Sequence, residues 1–190
     1  DSQPKDNRQV VDIEVTNRQL HVLLFADAAT REYRFLRTQL RRDEGMIVDV
    51  ILQSSPPGIS QDAADILAEF PRTREALYTY DCIIAFDPDW MKLDAQQIEL
   101  LETWVAEEAG GLVLIAGPVH SSLWIESAAH HRLLDLHPVM FRRGLSLIGD
   151  GRYGSETPKR IQRTREGVQA DFFQLTESPA ENQAVWDQFE

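Results

Sequence analysis

Cysteine is almost missing from this chain: Cys82 stands alone among 190 residues, so no internal disulfide can form and a thiolate metal site is excluded. Long apolar runs are missing too. Nothing approaches the roughly 18 consecutive apolar residues of a membrane span, and Asp1-Ser-Gln-Pro-Lys-Asp6 has no apolar core of the kind a signal peptide needs. Positive charge is scarce, with 19 Lys and Arg against 31 Asp and Glu and a formal net charge of -12. Such a surface repels phosphate backbones, so nucleic acid is not an expected partner. Catalytic signatures are lacking as well. There is no Gly-x-Ser-x-Gly or Gly-x-Cys-x-Gly elbow, no His-x-x-x-His, and no Glu-x-x-His with a third ligand. The glycines of Gly149-Asp-Gly-Arg-Tyr-Gly-Ser155 follow no phosphate-binding pattern, so no cofactor is implied.

What is present is a scaffold. With 43% hydrophobic residues the chain can bury one proper core. The clearest stretch runs from Tyr80 to Gly117. Asp81-Cys-Ile-Ile-Ala-Phe86 is a short apolar run that suits a strand buried on both faces. Asp94 then starts a helix as its N-cap, Gln97 completes a capping box, and Leu93 can staple onto Ile98. Ile98, Leu100, Leu101, Trp104 and Val105 share one helical face. Gly110 is the expected left-handed residue after the helix, and Gly111 opens the apolar strand Leu112-Val-Leu-Ile-Ala116. Strand, crossover helix and strand make a βαβ unit with parallel strands.

Around this unit the pattern continues. Val10–Val15 alternates with period two and reads as a half-exposed strand. Leu20–Ala26 reads as the first buried strand, and Thr30 caps a helix from Arg31 to about Arg42. That helix has Tyr33, Leu36 and Leu40 inward, Phe35 flanking, and Arg41 and Arg42 at its C-terminal end. Ile47–Leu52 is the next strand. The crossover from Ser60 to Tyr80 is expected to be irregular, with a short helix over Ile66, Leu67 and Phe70 and one more turn capped by Thr73. Beyond the central unit the sequence predicts a helix around Leu123–Leu136 and a strand over Phe141–Ile148. A β-hairpin follows, formed by Lys159–Arg165 and Val168–Leu175, and then a short helix from Ser178.

In an open parallel sheet, ligands bind outside the carboxyl ends of the strands. Those ends carry Asp27, Gln53, Ser54, Asp87, Asp89, Gly117, His120 and Ser121. One reading is a cleft in which Asp27, Asp87 and His120 converge on a cation or polar ligand, with Asp89 and Ser121 beside them. The other is that polar residues at strand ends merely cap turns. His120, Ser121 and Glu126 supply the residue types of a triad, but adjacent Ser and His in one loop rarely aim at each other. Cys82, near a strand start, reads as packing. His130, His131 and His137 point around a helix rather than at one metal, and Trp90, Trp124 and Trp186 read as packing before partner surface.

Several strings together resemble a known family. Arg18–Ala26, Arg31–Arg37, Leu40–Asp43 and Val50–Ser54 form one block, Glu75–Asp81 and Gly110–Pro118 another. They are similar to the glutamine-amidotransferase-like domain of large bacterial membrane-anchored proteins, which often carry von Willebrand factor type A or immunoglobulin-like modules. The resemblance covers roughly residues 10 to 140. It implies an α/β fold: a flavodoxin-like three-layer sandwich with a mostly parallel central sheet, to which the C-terminal β-hairpin and short helix are added. The family's enzymes place a nucleophilic cysteine after the strand matching Leu112–Ala116, and here that elbow reads Ala116-Gly-Pro-Val-His120. No catalytic residue is therefore assigned. Asp6–Val15 resembles the closing strand of an immunoglobulin-like module. Residues 1–17 are thus expected to be a tail or the last strand of an upstream module, and 18–190 the amidotransferase-like domain. The expected role is a non-catalytic interaction or ligand-sensing domain, held at a membrane through its parent and meeting other domains or a protein partner. The alternative is a hydrolase using Asp27, Asp87 and His120, assisted by a divalent metal.

Overall fold

Every second residue of the first strand faces the same side of a sheet, and that alternation builds the molecule. A computed structural model of the chain describes residues 18–56, 62–117, 119–125, 130–137, 139 and 162–188. The chain divides into two compact units, 1–141 and 142–190. The first unit holds β1 (Leu20–Ala26), α1 (Arg31–Arg42), β2 (Met46–Leu52), α2 (Arg74–Leu77) and β3 (Cys82–Phe86). It continues with α3 (Ala95–Glu107), β4 (Gly111–Ile115), α4 (Ser121–Ile125) and α5 (His131–Asp135). All strand pairs are parallel, in the order β2-β1-β3-β4, so the unit is a flavodoxin-like three-layer sandwich.

Register divides the core in two. Leu23 and Phe25 of β1, with Ile83 and Ala85 of β3, meet Leu77 of α2, Ile98, Leu101 and Trp104 of α3, and Leu133 of α5. Val22, Leu24 and Ala26 face the other way and pack with Tyr33 of α1, Val48, Val50 and Phe86. Leu23, Leu24 and Phe25 have no exposed surface, and each such side chain is worth about 1.5–3 kcal/mol relative to leaving it in water.

The local signals act as physics requires. Asp94 accepts from the Gln97 amide at 2.9 Å, and the Gln97 side chain accepts from the Asp94 amide at 3.0 Å, so the capping box is complete. Leu93 and Ile98 are both buried in the same cluster, as the staple requires. Thr30 and Thr73 accept from Tyr33 and Ala76 amides at 3.2 and 3.3 Å. Trp90, Trp124 and Trp186 are 3%, 3% and 9% exposed, so all three serve packing.

Four expectations change. The left-handed residue after α3 is Ala109, with φ 56, and not Gly110. Gly110 is small for another reason: a Cβ there would lie 2.2 Å from the Trp104 indole. No helix forms over Ile66–Phe70. Instead this stretch lies along β2, with Val50 N–H donating to Asp65 O at 3.0 Å and Leu67 N–H to Val50 O at 2.9 Å. An edge strand's open backbone groups outcompete a weak helical pattern. The span predicted as one helix contains the two short helices α4 and α5, and residues 126–129 between them lie outside the described ones. The hairpin expected after Lys159 is replaced by α6 (Arg165–Gln169) and a 3-10 turn at Asp171–Phe173. Thr164 accepts from the Gly167 amide at 3.1 Å, so Glu166-Gly167 belongs to a capped helical turn rather than a strand reversal.

The second unit closes around Trp186 of α7 (Pro179–Asp187). Its ring meets Phe173 edge-on at 5.2 Å and its Nε1 donates to Phe173 O at 2.9 Å. The short final helix is therefore present as expected. The strands expected at Val10–Val15 and Phe141–Ile148 and the loop at Gly149–Ser155 fall outside the described residues. Among the described residues, no helix is long and apolar enough to cross a membrane.

Candidate functional site

The strand order reverses at one point of the sheet, which is where ligands bind in open parallel sheets. β1 leads sideways to β2, whereas β3 and β4 lie on the other flank, so the switch point falls between the carboxyl ends of β1 and β3. Asp27 follows β1 and Asp87-Pro-Asp89 follows β3, which places acids on both lips. The loop after β4 brings His120 and Ser121 to the same end.

Four side chains converge there. His120 Nε2 lies 3.1 Å from Asp27 Oδ2 and its Nδ1 lies 3.9 Å from Asp89 Oδ1. Lys92 Nζ, from the 3-10 turn Trp90–Lys92, lies 3.5 Å from Asp27 Oδ1 and 3.8 Å from Asp89 Oδ2. The acids are held by neighbours. Gln53 spans to the Asp89 backbone, accepting from its N–H at 2.7 Å and donating to its O at 3.1 Å. Ser54 donates to Asp27 O through both its amide and its hydroxyl. The His120 ring is only 14% exposed, and neither ring nitrogen meets hydrogen-bond geometry despite the close carboxylates. Lys92 is half exposed, so its contacts are worth about 0–1 kcal/mol in stability. The cluster is thus only loosely satisfied from within.

Asp87 does something different. Its Oδ2 accepts from the amides of Val119 at 3.0 Å and His120 at 3.3 Å, and its Oδ1 accepts from the Ser121 hydroxyl at 3.0 Å. Ser121 Oγ in turn accepts from the Gly117 amide at 3.3 Å. The donors after β4 therefore converge on a carboxylate supplied by the chain itself. To reach them, Asp87 adopts φ 39, in the left-handed region that few non-glycine residues enter. Gly117 makes room: a Cβ there would sit 2.4 Å from Asp87 Oδ2.

All five predicted cleft residues, Asp27, Asp87, Asp89, His120 and Ser121, meet at this end of the sheet, but in two roles. Asp27, Asp89 and His120 face one another with Lys92, while Asp87 and Ser121 are taken up in fixing the loop and Asp89 Oδ1 also caps the Trp90–Lys92 turn by accepting from the Met91 amide at 3.1 Å. Cys82 lies at the opposite end of β3, where burial and the Asp81 carboxylate push its thiol up, away from the nucleophilic thiolate. His137 is also structural: its Nδ1 bonds Leu133 O at 2.6 Å and its ring lies 4.7 Å from Trp124. Among the described residues, no three His, Cys, Asp or Glu side chains are arranged to hold a metal ion.

Two features escaped the sequence reading. One is Lys92, whose only signal in the sequence is its place three residues after Asp89. The second is a buried cluster at the other end of β1, where Asp49 Oδ2 meets His21 Nε2 at 2.7 Å and the Tyr80 hydroxyl at 3.0 Å. An acid inside the apolar strand Ile47–Leu52 was its signal, because a buried carboxylate requires partners. Comparison with protein-family models and with curated proteins finds no match for this chain.

Proposed function

We propose that this chain is a non-catalytic, amidotransferase-like domain that binds a small polar ligand at the β1–β3 crevice and serves a membrane-anchored multidomain parent. The observation that carries the non-catalytic half is Asp87. Acyl-transfer chemistry needs free donors where an oxyanion develops. The Val119 and His120 amides and the Ser121 hydroxyl are the convergent donors after β4, and Asp87 fills them. The neighbouring Ser121 hydroxyl donates to that carboxylate and not to an imidazole.

The ligand half is supported by the loosely satisfied cluster beside it. Two carboxylates, an ammonium and an imidazole whose nitrogens have no hydrogen bond suit a ligand carrying charge of both signs. Its ammonium would exchange with Lys92 at Asp27 and Asp89, and its carboxylate would meet Lys92 and His120. Attachment to a membrane through the parent follows from the resemblance of residues 10–140 alone.

Calorimetric titration with L-glutamine, L-arginine and succinate tests the ligand. The amino acids are expected to bind and the dicarboxylate not, with binding lost in Lys92→Met and Asp27→Asn. No heat with any of the three removes the ligand assignment. A glutaminase assay tests the rest: turnover by the native chain that disappears in His120→Ala or Ser121→Ala overturns the non-catalytic reading.

The second reading, a hydrolase, is favoured by one contact, His120 Nε2 at 3.1 Å from Asp27 Oδ2, which brings together the residue types of a base and its orienting carboxylate, though not in hydrogen-bond geometry. Turnover of p-nitrophenyl acetate or phosphate that depends on both residues would establish it. Stimulation by added zinc or magnesium would restore the metal-assisted form.

A further inference from the structure

β1 lies between the two strands whose loops meet at Gln53 and Asp89. Ala26 of β1 pairs with Leu52 of β2 on one side and with Phe86 of β3 on the other, so the three strands end level. Gln53 follows Leu52, Asp27 follows Ala26, and Asp89 comes three residues after Phe86. β2 and β3 are not neighbours in the sheet; they stand two strand spacings apart, about 10 Å. The Gln53 side chain joins their loops across the end of β1. Its Oε1 accepts from the Asp89 amide at 2.7 Å and its Nε2 donates to Asp89 O at 3.1 Å. Oxygen and nitrogen of the side-chain amide are both engaged, which fixes its tip.

What this tie holds is a pair of acids. Asp27 Oδ1 and Asp89 Oδ2 lie 3.5 and 3.8 Å from the same Lys92 ammonium. Two carboxylates gathered on one cation repel each other when the cation leaves, and Lys92 is half exposed. The Asp27 lip is tied to β2 through backbone: Gln53 N–H donates to Ala26 O at 2.9 Å and Ser54 N–H to Asp27 O at 2.8 Å. The Asp89 lip is tied to it through the Gln53 side chain, and Asp89 is also the N-cap of the turn that carries Lys92. One residue thus grips one lip with its main chain and the other with its side chain. The turn keeps a separate anchor in Trp90, buried edge-on against Phe25 at 5.4 Å. Loss of the Gln53 side chain should therefore spare the fold and release the spacing of the acids.

We infer that Gln53 is a positioning residue of the β1–β3 crevice, fixing the separation of Asp27 and Asp89 so that a single ammonium meets both. That a ligand's ammonium takes this place rests on the function proposed above, whereas the tie rests on the hydrogen bonds alone.

The full chain tests the spacing first and the ligand second. In nitrogen-15 spectra, Asp27→Asn and Asp89→Asn should each shift the His120 ring signals, because the carboxylates lie 3.1 and 3.9 Å from the ring nitrogens. In a Gln53→Met background the response to Asp89→Asn should fall by about half or more. The response to Asp27→Asn, whose backbone ties remain, should persist. A role in stability alone would change both responses or neither. Gln53→Asn keeps the amide but is one methylene, about 1.5 Å, too short, and should act as Gln53→Met does. Failure of both variants to fold would make Gln53 structural and overturn the inference. So would an Asp89→Asn response that is absent in the native chain or undiminished without Gln53. Calorimetry with L-arginine follows. Where the native chain binds it, Gln53→Met should weaken binding about tenfold, and unchanged affinity overturns the inference. Where the native chain binds none, the ligand reading falls by itself and the ring signals still decide the role of Gln53.

Discussion

Asp49, in the middle of β2, and His120, in the loop after β4, are both ionisable side chains drawn into the first unit, and they are treated differently. Asp49 is 5% exposed and has a partner on either side, the His21 imidazole at 2.7 Å and the Tyr80 hydroxyl at 3.0 Å. Burial, and then the Asp49 charge beside it, hold the Tyr80 hydroxyl well above the usual tyrosine range, so it stays protonated as a donor. His120 has carboxylates within reach, yet neither ring nitrogen is hydrogen-bonded. A buried polar group whose partners are all supplied by the fold adds to stability, whereas one left short adds little and costs desolvation.

Mutations can break that contrast. The largest effect is expected for Asp49→Ala, which leaves the Tyr80 hydroxyl buried without its acceptor. About 3 kcal/mol should be lost, at the low end for a broken buried pair because the His21 side chain is 26% exposed. Urea unfolding measures it, and a loss below about 1 kcal/mol would mean that the cluster is no more structural than a surface pair. Asp87→Ala comes next. It removes the acceptor of the Val119 and His120 amides and should cost about 1.5–3 kcal/mol, with faster hydrogen exchange at exactly those two amides. Unchanged exchange there would return Asp87 to the open cleft.

A third histidine sharpens the comparison through pH. Burial holds His137 below its ordinary value of 6.5, against a smaller opposing push from its bond to Leu133. The unfolded chain therefore binds this proton more readily than the folded one. Stability should fall as pH drops from 6.5 through the lowered folded value, and His137→Gln should flatten that slope. A slope unchanged in the variant would place the proton elsewhere. Asp81 acts in a separate, lower window. Burial raises its carboxyl, but the His21 amide and the Arg18 guanidinium outweigh that and lower it, so its contribution is lost only as pH falls below 3.8 through the depressed value. The smallest stability effect belongs to His120→Gln. It should stay within about 0.5 kcal/mol while abolishing amino-acid binding, the reverse of Asp49→Ala.

Much of the fold was legible because its signals are local. The capping box of Asp94 and Gln97, the threonine caps and the apolar runs Leu20–Ala26 and Cys82–Phe86 act over a few residues and need no distant partner to be read. Where local signals were weak or shared between states, tertiary context decided. Ile66–Phe70 went to the edge of β2 because open strand amides were there to be met. Arg165–Gln169 became helical because Thr164 capped it. Gly110 was correctly marked as special but for the wrong reason, since a contact with Trp104 is invisible to a rule about left-handed caps. The strand-end rule gathered Asp27, Asp87, Asp89, His120 and Ser121 in one place, yet it could not divide them by role.

The sequence by itself determined the layered α/β scaffold and which end of it carries polar groups, because periodicity, capping and the direction of parallel strands are properties of neighbouring residues. Only the tertiary structure decided that Asp87 turns inward onto the Val119 and His120 amides while the His120 ring nitrogens, between two acids, are left without a hydrogen bond. Those outcomes depend on loops after different strands meeting at distances of a few ångströms. Side chains that far apart in the chain carry no mark of which partner they will find.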